Sequence, residues 1–217
     1  MQAAIPRGKA TGMTAFFPMN ETQSRALLVQ VSRDLPNSVL DLACINSPKN
    51  VVLSGDADAL ALASKLASEG ALGERIKAIP LDVSAPFHSR YMNATHSVLK
   101  KYLFTLKMKL SSTPVIDGLH CKPIRVVPDQ FSEDFVQLTS GTVNFVGCIE
   151  QAKNLLHTQA KPVERPLWIE VGPKPTLASF LTQSIPDAQT VSLCTANDIH
   201  DLLNNKEWTS MLTNVSK

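Results

Sequence analysis

The chain has 217 residues, enough for one domain of ordinary size or one carrying a small inserted subdomain. Its 44% hydrophobic, 18% charged and 6% aromatic residues describe an aliphatic-rich globular protein and exclude a disordered one. A formal net charge of +2, with no block of like charges, excludes the strongly basic signature of a nucleic-acid or membrane-surface binder.

The segment Met1-Gln2-Ala3-Ala4-Ile5-Pro6-Arg7-Gly8-Lys9 lacks the apolar stretch of a secretory signal. Gly12 to Phe17 reads as a strand stopped by Pro18. Asn20 is placed to cap a helix running through Ala26, Leu27, Val29 and Val31 to Leu35-Pro36. Val39 to Ile45 alternates as a strand, Asn46-Ser47-Pro48-Lys49-Asn50 has strong turn chemistry, and Val51 to Ser54 forms the next strand, closed by Gly55. Asp56 or Asp58 then caps a helix with Leu60, Leu62 and Leu66 on one face, and Arg75 to Val83 completes the series as a strand. That order, β-α-β-β-α-β, is the pattern of a ferredoxin-like unit over residues 12–83.

Ser84 to Ser89 turns the chain into a helix, with Ser89 as N-cap and Met92, Val98, Leu99, Tyr102 and Leu106 at helical spacing. Pro114 to Leu119 reads as a strand, and Ser132–Thr139 and Val146–Leu156 as helices flanking Ser140-Gly141-Thr142. Leu167–Val171 is an apolar strand stopped by Gly172-Pro173, followed by a helix over Thr176–Ile185 and a strand over Thr190–Leu193. Strands alternating with helices imply a mainly parallel α/β sheet in residues 1–11 and 84–217, with too few strands to close it.

Five histidines (His88, His96, His120, His157, His200) show no metal-binding spacing, so no metal is expected. Neither G-x-G-x-x-G, G-x-x-x-x-G-K-[ST] nor the nucleophile pattern G-x-S-x-G occurs. His88 stands where a strand gives way to a helix, the end of the sheet at which α/β folds place their sites, with Phe87 beside it to keep water away. On these features alone it reads either as a turn residue or as a catalytic one. The four cysteines (Cys44, Cys121, Cys148, Cys194) form no C-x-x-C pair and read as reduced thiols of an intracellular protein. Cys44 in particular, between Ala43 and Ile45, reads as a buried, inert thiol rather than a nucleophile.

Three segments occur in order at suitable distances: Cys44-Ile45-Asn46-Ser47-Pro48-Lys49-Asn50-Val51-Val52-Leu53-Ser54-Gly55, Val83-Ser84-Ala85-Pro86-Phe87-His88-Ser89-Arg90-Tyr91-Met92, and Glu170-Val171-Gly172-Pro173. Together with Gly12-Met13-Thr14-Ala15 they resemble the malonyl-CoA:acyl carrier protein transacylases and the acyltransferase domains of polyketide and fatty acid synthases. The resemblance implies an α/β-hydrolase-like large subdomain, incomplete here, with a ferredoxin-like small subdomain inserted at residues 12–83. It also implies transfer of a malonyl group from coenzyme A, as a thioester substrate with no bound cofactor, to the phosphopantetheine thiol of an acyl carrier protein, by way of an ester on a serine. His88 would be the base and later the acid of that reaction. Gln137, in Val136-Gln137-Leu138, would supply the backbone oxygen that holds the His88 ring in its working tautomer. Asn46 would border the substrate cleft, and Phe87 would select malonyl by filling the space of an α-methyl group.

The family's G-H-S-x-G serine, its oxyanion loop and the arginine that anchors the malonyl carboxylate have no counterpart in the sequence. The chain alone is therefore expected to be inactive and to supply the histidine half of a Ser-His site. The second reading is a non-enzymatic fragment that binds a carrier protein or a synthase partner. The stretch around Trp208 is consistent with continuation toward a further module of a synthase. The expected compartment is the cytoplasm, or the mitochondrion if a longer N-terminus precedes Met1.

Overall fold

The computed structural model describes residues 2–107, 109, 111–124, 128–158 and 165–206; Trp208 lies outside the described residues. The chain divides into two compact units, Met1–Gln151 and Ala152–Lys217.

The first unit opens with a short 3-10 turn at Gln2–Ala4, then β1 (Thr11–Phe17), α1 (Glu21–Asp34), β2 (Leu40–Ser47), β3 (Asn50–Asp56), α2 (Ala57–Ser68) and β4 (Lys77–Pro80). Helix α1 starts where Asn20 predicts, through a reciprocal cap. Asn20 Oδ1 accepts the Gln23 N–H at 2.9 Å, while Gln23 Oε1 accepts the Asn20 N–H at 3.0 Å. The strands order as β4-β1-β3-β2, with every neighbouring pair antiparallel. This is the sheet that a βαββαβ chain forms when each helix carries the chain over one intervening strand.

Both helices cover one face of this sheet. Leu27 and Val31 of α1 and Ala59, Leu60, Ala63 and Ala67 of α2 are buried with Phe16, Leu42, Ile45, Val51 and Leu53 of the strands. The alanines of α2 let that helix lie close to the sheet. Met13, Ala43 and Val52 form a separate buried cluster, and Phe87 packs against it.

Strand β4 is shorter than Arg75–Val83. Ile76 is buried and gives its N–H to the Ala67 carbonyl of α2, which spends it as a helix terminus rather than a ladder rung. Asp56 stands at the start of α2, yet its carboxylate makes no capping bond there. Ser89 does occupy the N-cap position, but of a 3-10 helix, Arg90–Thr95, that precedes α3 (His96–Leu103), and its Oγ donates to the Pro86 carbonyl rather than making a capping bond. The strand expected at Pro114–Leu119 is a loop with one isolated bridge, Ile116 to Pro123. The Asp117 carboxylate takes the N–H groups of Leu119 and His120 and folds the chain back on itself.

Helix α4 (Pro128–Leu138), the two-residue strand β5 (Val143–Asn144) and α5 (Phe145–His157) follow. Strand β5 adds to β2 as a fifth, parallel strand, supported by the Thr142 hydroxyl, which donates to the Leu42 carbonyl at 2.7 Å.

The second unit holds the end of α5, then β6 (Leu167–Val171), α6 (Leu177–Ser184), β7 (Gln189–Leu193) and α7 (Ala196–Asn204). β6 and β7 pair in parallel along their full length. Helix α7 has no counterpart in the sequence expectations. Its signal is Thr195-Ala196-Asn197-Asp198, a capping box in which the Asp198 carboxylate takes the Thr195 N–H at 2.6 Å.

Candidate active site

His88 follows Phe87, which packs against the Met13, Ala43 and Val52 cluster, as do Ala15 and Cys44. The backbone at His88 takes the left-handed conformation, φ 56°. For a side chain with a Cβ this costs on the order of 1–3 kcal/mol and persists only where the surroundings over-determine it. They do so here on both sides. The His88 N–H donates to the Thr139 carbonyl at 3.1 Å. The buried Ser89 hydroxyl closes the preceding turn onto Pro86 at 2.6 Å. Arg90 meets the Asp41 carboxylate with its backbone N–H at 2.8 Å and its guanidinium at 2.6 Å, tying the segment to β2.

The imidazole Nδ1 of His88 lies 2.8 Å from the carbonyl oxygen of Leu138. A carbonyl can only accept, so Nδ1 carries a proton, and in the neutral ring this leaves the lone pair on Nε2. The acceptor is thus Leu138, the last residue of α4, and not Gln137 as the sequence suggests. The Gln137 carbonyl is committed to the turn that follows, where it accepts from the N–H groups of Ser140 and Gly141. The correction is one residue, and its cause is local. The carbonyls of the last helical turn have no intrahelical partner, and the turn at Ser140-Gly141 consumes that of Gln137.

Asn46 is not in hydrogen-bond contact with His88. Its amide donates to Asn50 Oδ1 at 3.0 Å across the β2–β3 hairpin. Cys44 lies against the Phe87 cluster, and burial pushes its thiol up to about 11, which leaves it a poor nucleophile. Residues that sequence reasoning passed over also converge here. His96 Nε2 and Ser140 Oγ are 3.0 Å apart, so α3 and the end of α4 are joined next to the Leu138 carbonyl. The signal for that pair is absent from the chain order, since the two residues stand 44 positions apart. In the second unit the Glu170 carboxylate, in Glu170-Val171-Gly172-Pro173, takes the N–H groups of Thr176, Leu177 and Ala178 at 2.8 to 2.9 Å. It serves as the cap of α6.

Among the described residues no group of three His, Cys, Asp or Glu side chains could hold a metal ion. No helix among them is long and apolar enough to cross a membrane. What the arrangement offers chemically is an imidazole whose Nδ1 is held by a main-chain acceptor, next in sequence to an aromatic side chain packed on the sheet.

The candidate site is thus a histidine held through Nδ1 by a main-chain carbonyl, on an α/β fold that contains a βαββαβ unit. No family model matches the sequence. The malonyl CoA-acyl carrier protein transacylase of Bacillus subtilis is 28% identical over 201 residues, which is 89% of this chain and 59% of that protein. The non-reducing polyketide synthase aptA of Emericella nidulans is 29% identical over 174 residues, 80% of this chain and 9% of the synthase. The crystal structure of the malonyl CoA-acyl carrier protein transacylase of Clostridium perfringens superimposes with a TM-score of 0.82 at 22% identity, over 99% of this chain and 62% of that one. The chain is thus similar in sequence to malonyl-CoA:acyl carrier protein transacylases and to a stretch of polyketide synthases, and it has the transacylase fold. It spans about three fifths of the length of the two transacylases and about a tenth of the synthase.

Proposed function

We propose that this chain carries the histidine half of a malonyl-CoA:acyl carrier protein transacylase, with His88 as general base and acid. The observation that carries the reading is the hydrogen bond from His88 Nδ1 to the Leu138 carbonyl, because in the neutral ring it puts the basic lone pair on Nε2. In the first half-reaction Nε2 takes the proton of a serine hydroxyl as its oxygen adds to the thioester carbon of malonyl-CoA. Collapse of the tetrahedral intermediate expels coenzyme A, whose sulfur takes the proton, and leaves malonyl as an ester. In the second, Nε2 takes the proton of the carrier protein's pantetheine thiol, the sulfur adds to the ester carbon, and the proton returns to the serine oxygen.

Phe87, seated on the face of the sheet, would exclude an α-methyl group and so favour malonyl. Asn46, with its amide held by Asn50, would border the cleft. Residues 12–83 would correspond to the inserted small subdomain and the remainder to the large one. The nucleophile belongs to a G-H-S-x-G segment that the 217 residues do not contain, so the chain by itself should transfer nothing.

The test is transfer of labelled malonyl from coenzyme A to a carrier protein, run with this chain and with a version carrying a G-H-S-x-G segment ahead of Met1. Activity of the extended version alone, abolished by His88→Ala, supports the proposal. Activity of the short chain refutes the assignment of the missing serine. Inactivity of both, with retained binding to the carrier protein, selects the reading of a binding module.

A further inference from the structure

The left-handed backbone at His88 needs an anchor on its C-terminal side, and the structure holds one there that runs through a fully buried carboxylate. Asp56 is 0% exposed at the junction of β3 and α2. Its Oδ1 accepts the Tyr91 hydroxyl at 2.6 Å. Its Oδ2 accepts the Val39 N–H at 2.8 Å and pairs with the Lys9 ammonium at 2.7 Å. The ammonium also lies 5.9 Å from the centre of the Tyr91 ring. Burial alone would raise the Asp56 carboxyl, but Lys9, Tyr91 and the Val39 N–H together hold it below the usual carboxylate range.

A buried charge is expensive unless its lone pairs are filled, and here three donors from three chain segments fill them. The segments are the loop before β1, the entry to β2, and the 3-10 helix that begins two residues after His88. Tyr91 is three residues from His88, and Met92 beyond it is fully buried, so the chain between His88 and this anchor has little slack. We propose that Asp56, acting through the Tyr91 hydroxyl and completed by Lys9, is a positioning residue that holds the His88 imidazole on the Leu138 carbonyl. The inference rests on the catalytic reading of His88. It assigns to Asp56 a task in that site, in place of the helix-capping role its sequence position suggests.

The readout is the tautomer of the His88 ring, followed by its imidazole nitrogen and proton signals in magnetic resonance, with His88→Gln to assign them. The native chain should show the Nδ1–H form. Tyr91→Phe, which removes one hydroxyl, and Asp56→Asn should lower the ratio of the Nδ1–H to the Nε2–H form by up to about tenfold, the scale of one net hydrogen bond. Val31→Ala, a core truncation in α1 that also lowers stability, should leave the ratio unchanged. An unaltered ratio in Tyr91→Phe overturns the inference, and so does an equal change in Val31→Ala, which would make the effect one of general loosening. Should Asp56→Asn fail to fold, Tyr91→Phe decides alone. Because the ring signals need no acyl transfer, failure of malonyl loading and failure of this inference are separate results.

Discussion

The Glu170 carboxylate receives the backbone N–H of Leu177 at 2.8 Å, so the end of strand β6 and the first turn of α6 are closed by one side chain. The same group takes the neighbouring N–H groups of Thr176 and Ala178, and the Ser192 hydroxyl from β7 at 3.2 Å. Three of the four N–H groups that a helix leaves without partners at its start are thereby satisfied from six to eight residues upstream.

Glu170→Ala should therefore lower stability by about 1–2 kcal/mol, the worth of a helix cap, as read by urea denaturation. Burial raises the Glu170 carboxyl, but the N–H groups of Leu177, Ala178 and Thr176 outweigh it and hold it below its ordinary value. A depressed carboxylate contributes stability above the unfolded value of about 4.3, and that contribution is lost as pH falls through the folded value. Glu170→Gln should therefore flatten the acid limb of the stability profile below about pH 4; an unchanged limb would contradict this role.

Gly55 faces the Val39 carbonyl so closely that a Cβ would lie 2.0 Å from its oxygen. The neighbouring Asp56 N–H donates to that same carbonyl at 2.8 Å, so neither strand can retreat without breaking the junction. Gly55→Ala is expected to cost about 3 kcal/mol or more through this backbone collision, measured as a fall in the thermal midpoint. Gly172→Ala, where a Cβ would meet nothing nearer than the Lys174 carbonyl at 4.0 Å, should cost far less.

The thiols of Cys44 and Cys148 should react slowly. Burial pushes them up to about 11 and about 12, so at pH 7.5 on the order of one molecule in a few thousand, or fewer, holds either as thiolate. Labelling with a disulfide reagent followed by peptide mass spectrometry should find both unmodified in the native chain and modified in urea. Rapid native labelling of Cys44 would show that it is not buried as described.

Among the described residues β6 and β7 pair only with each other, and Val171 on β6 is 79% exposed. Parallel strands are ordinarily covered on both faces and paired on both edges, so this short sheet invites association. Sedimentation should find concentration-dependent dimers or larger species, reduced by Val171→Lys. A monomer at every concentration would refute the expectation.

Much of the fold was legible because its signals are local. The apolar run at Gly12–Phe17, the alternating run at Val39–Ile45 and the apolar run at Val51–Ser54, with Asn46-Ser47-Pro48-Lys49-Asn50 between the last two, mark strands and a hairpin by themselves. What the sequence misplaced depends on partners far along the chain. Asp56 looks like a cap until Lys9, Val39 and Tyr91 claim its oxygens, and Ser89 looks like one until Pro86 does. Pro114–Leu119 has strand-like composition but no neighbouring strand, and the Asp117 side chain turns it instead. At the candidate site, the motif singles out His88 and Phe87 as candidates. Whether the ring meets the carbonyl of Gln137 or of Leu138 is decided by how the last turn of α4 unwinds, which no residue identity states.

The atom that orients the His88 ring belongs to the main chain, and this changes what mutagenesis can see. Replacing the side chain of Leu138 leaves its carbonyl in place, so a conventional alanine scan through Val136–Thr139 will report packing and miss the contact altogether. Only an amide-to-ester replacement, which weakens the oxygen as an acceptor without altering any side chain, or a proline that redirects the end of α4, would reach it. The residue that supplies the acceptor for the His88 ring is therefore free to drift in sequence, while the shape of one helix end stays fixed.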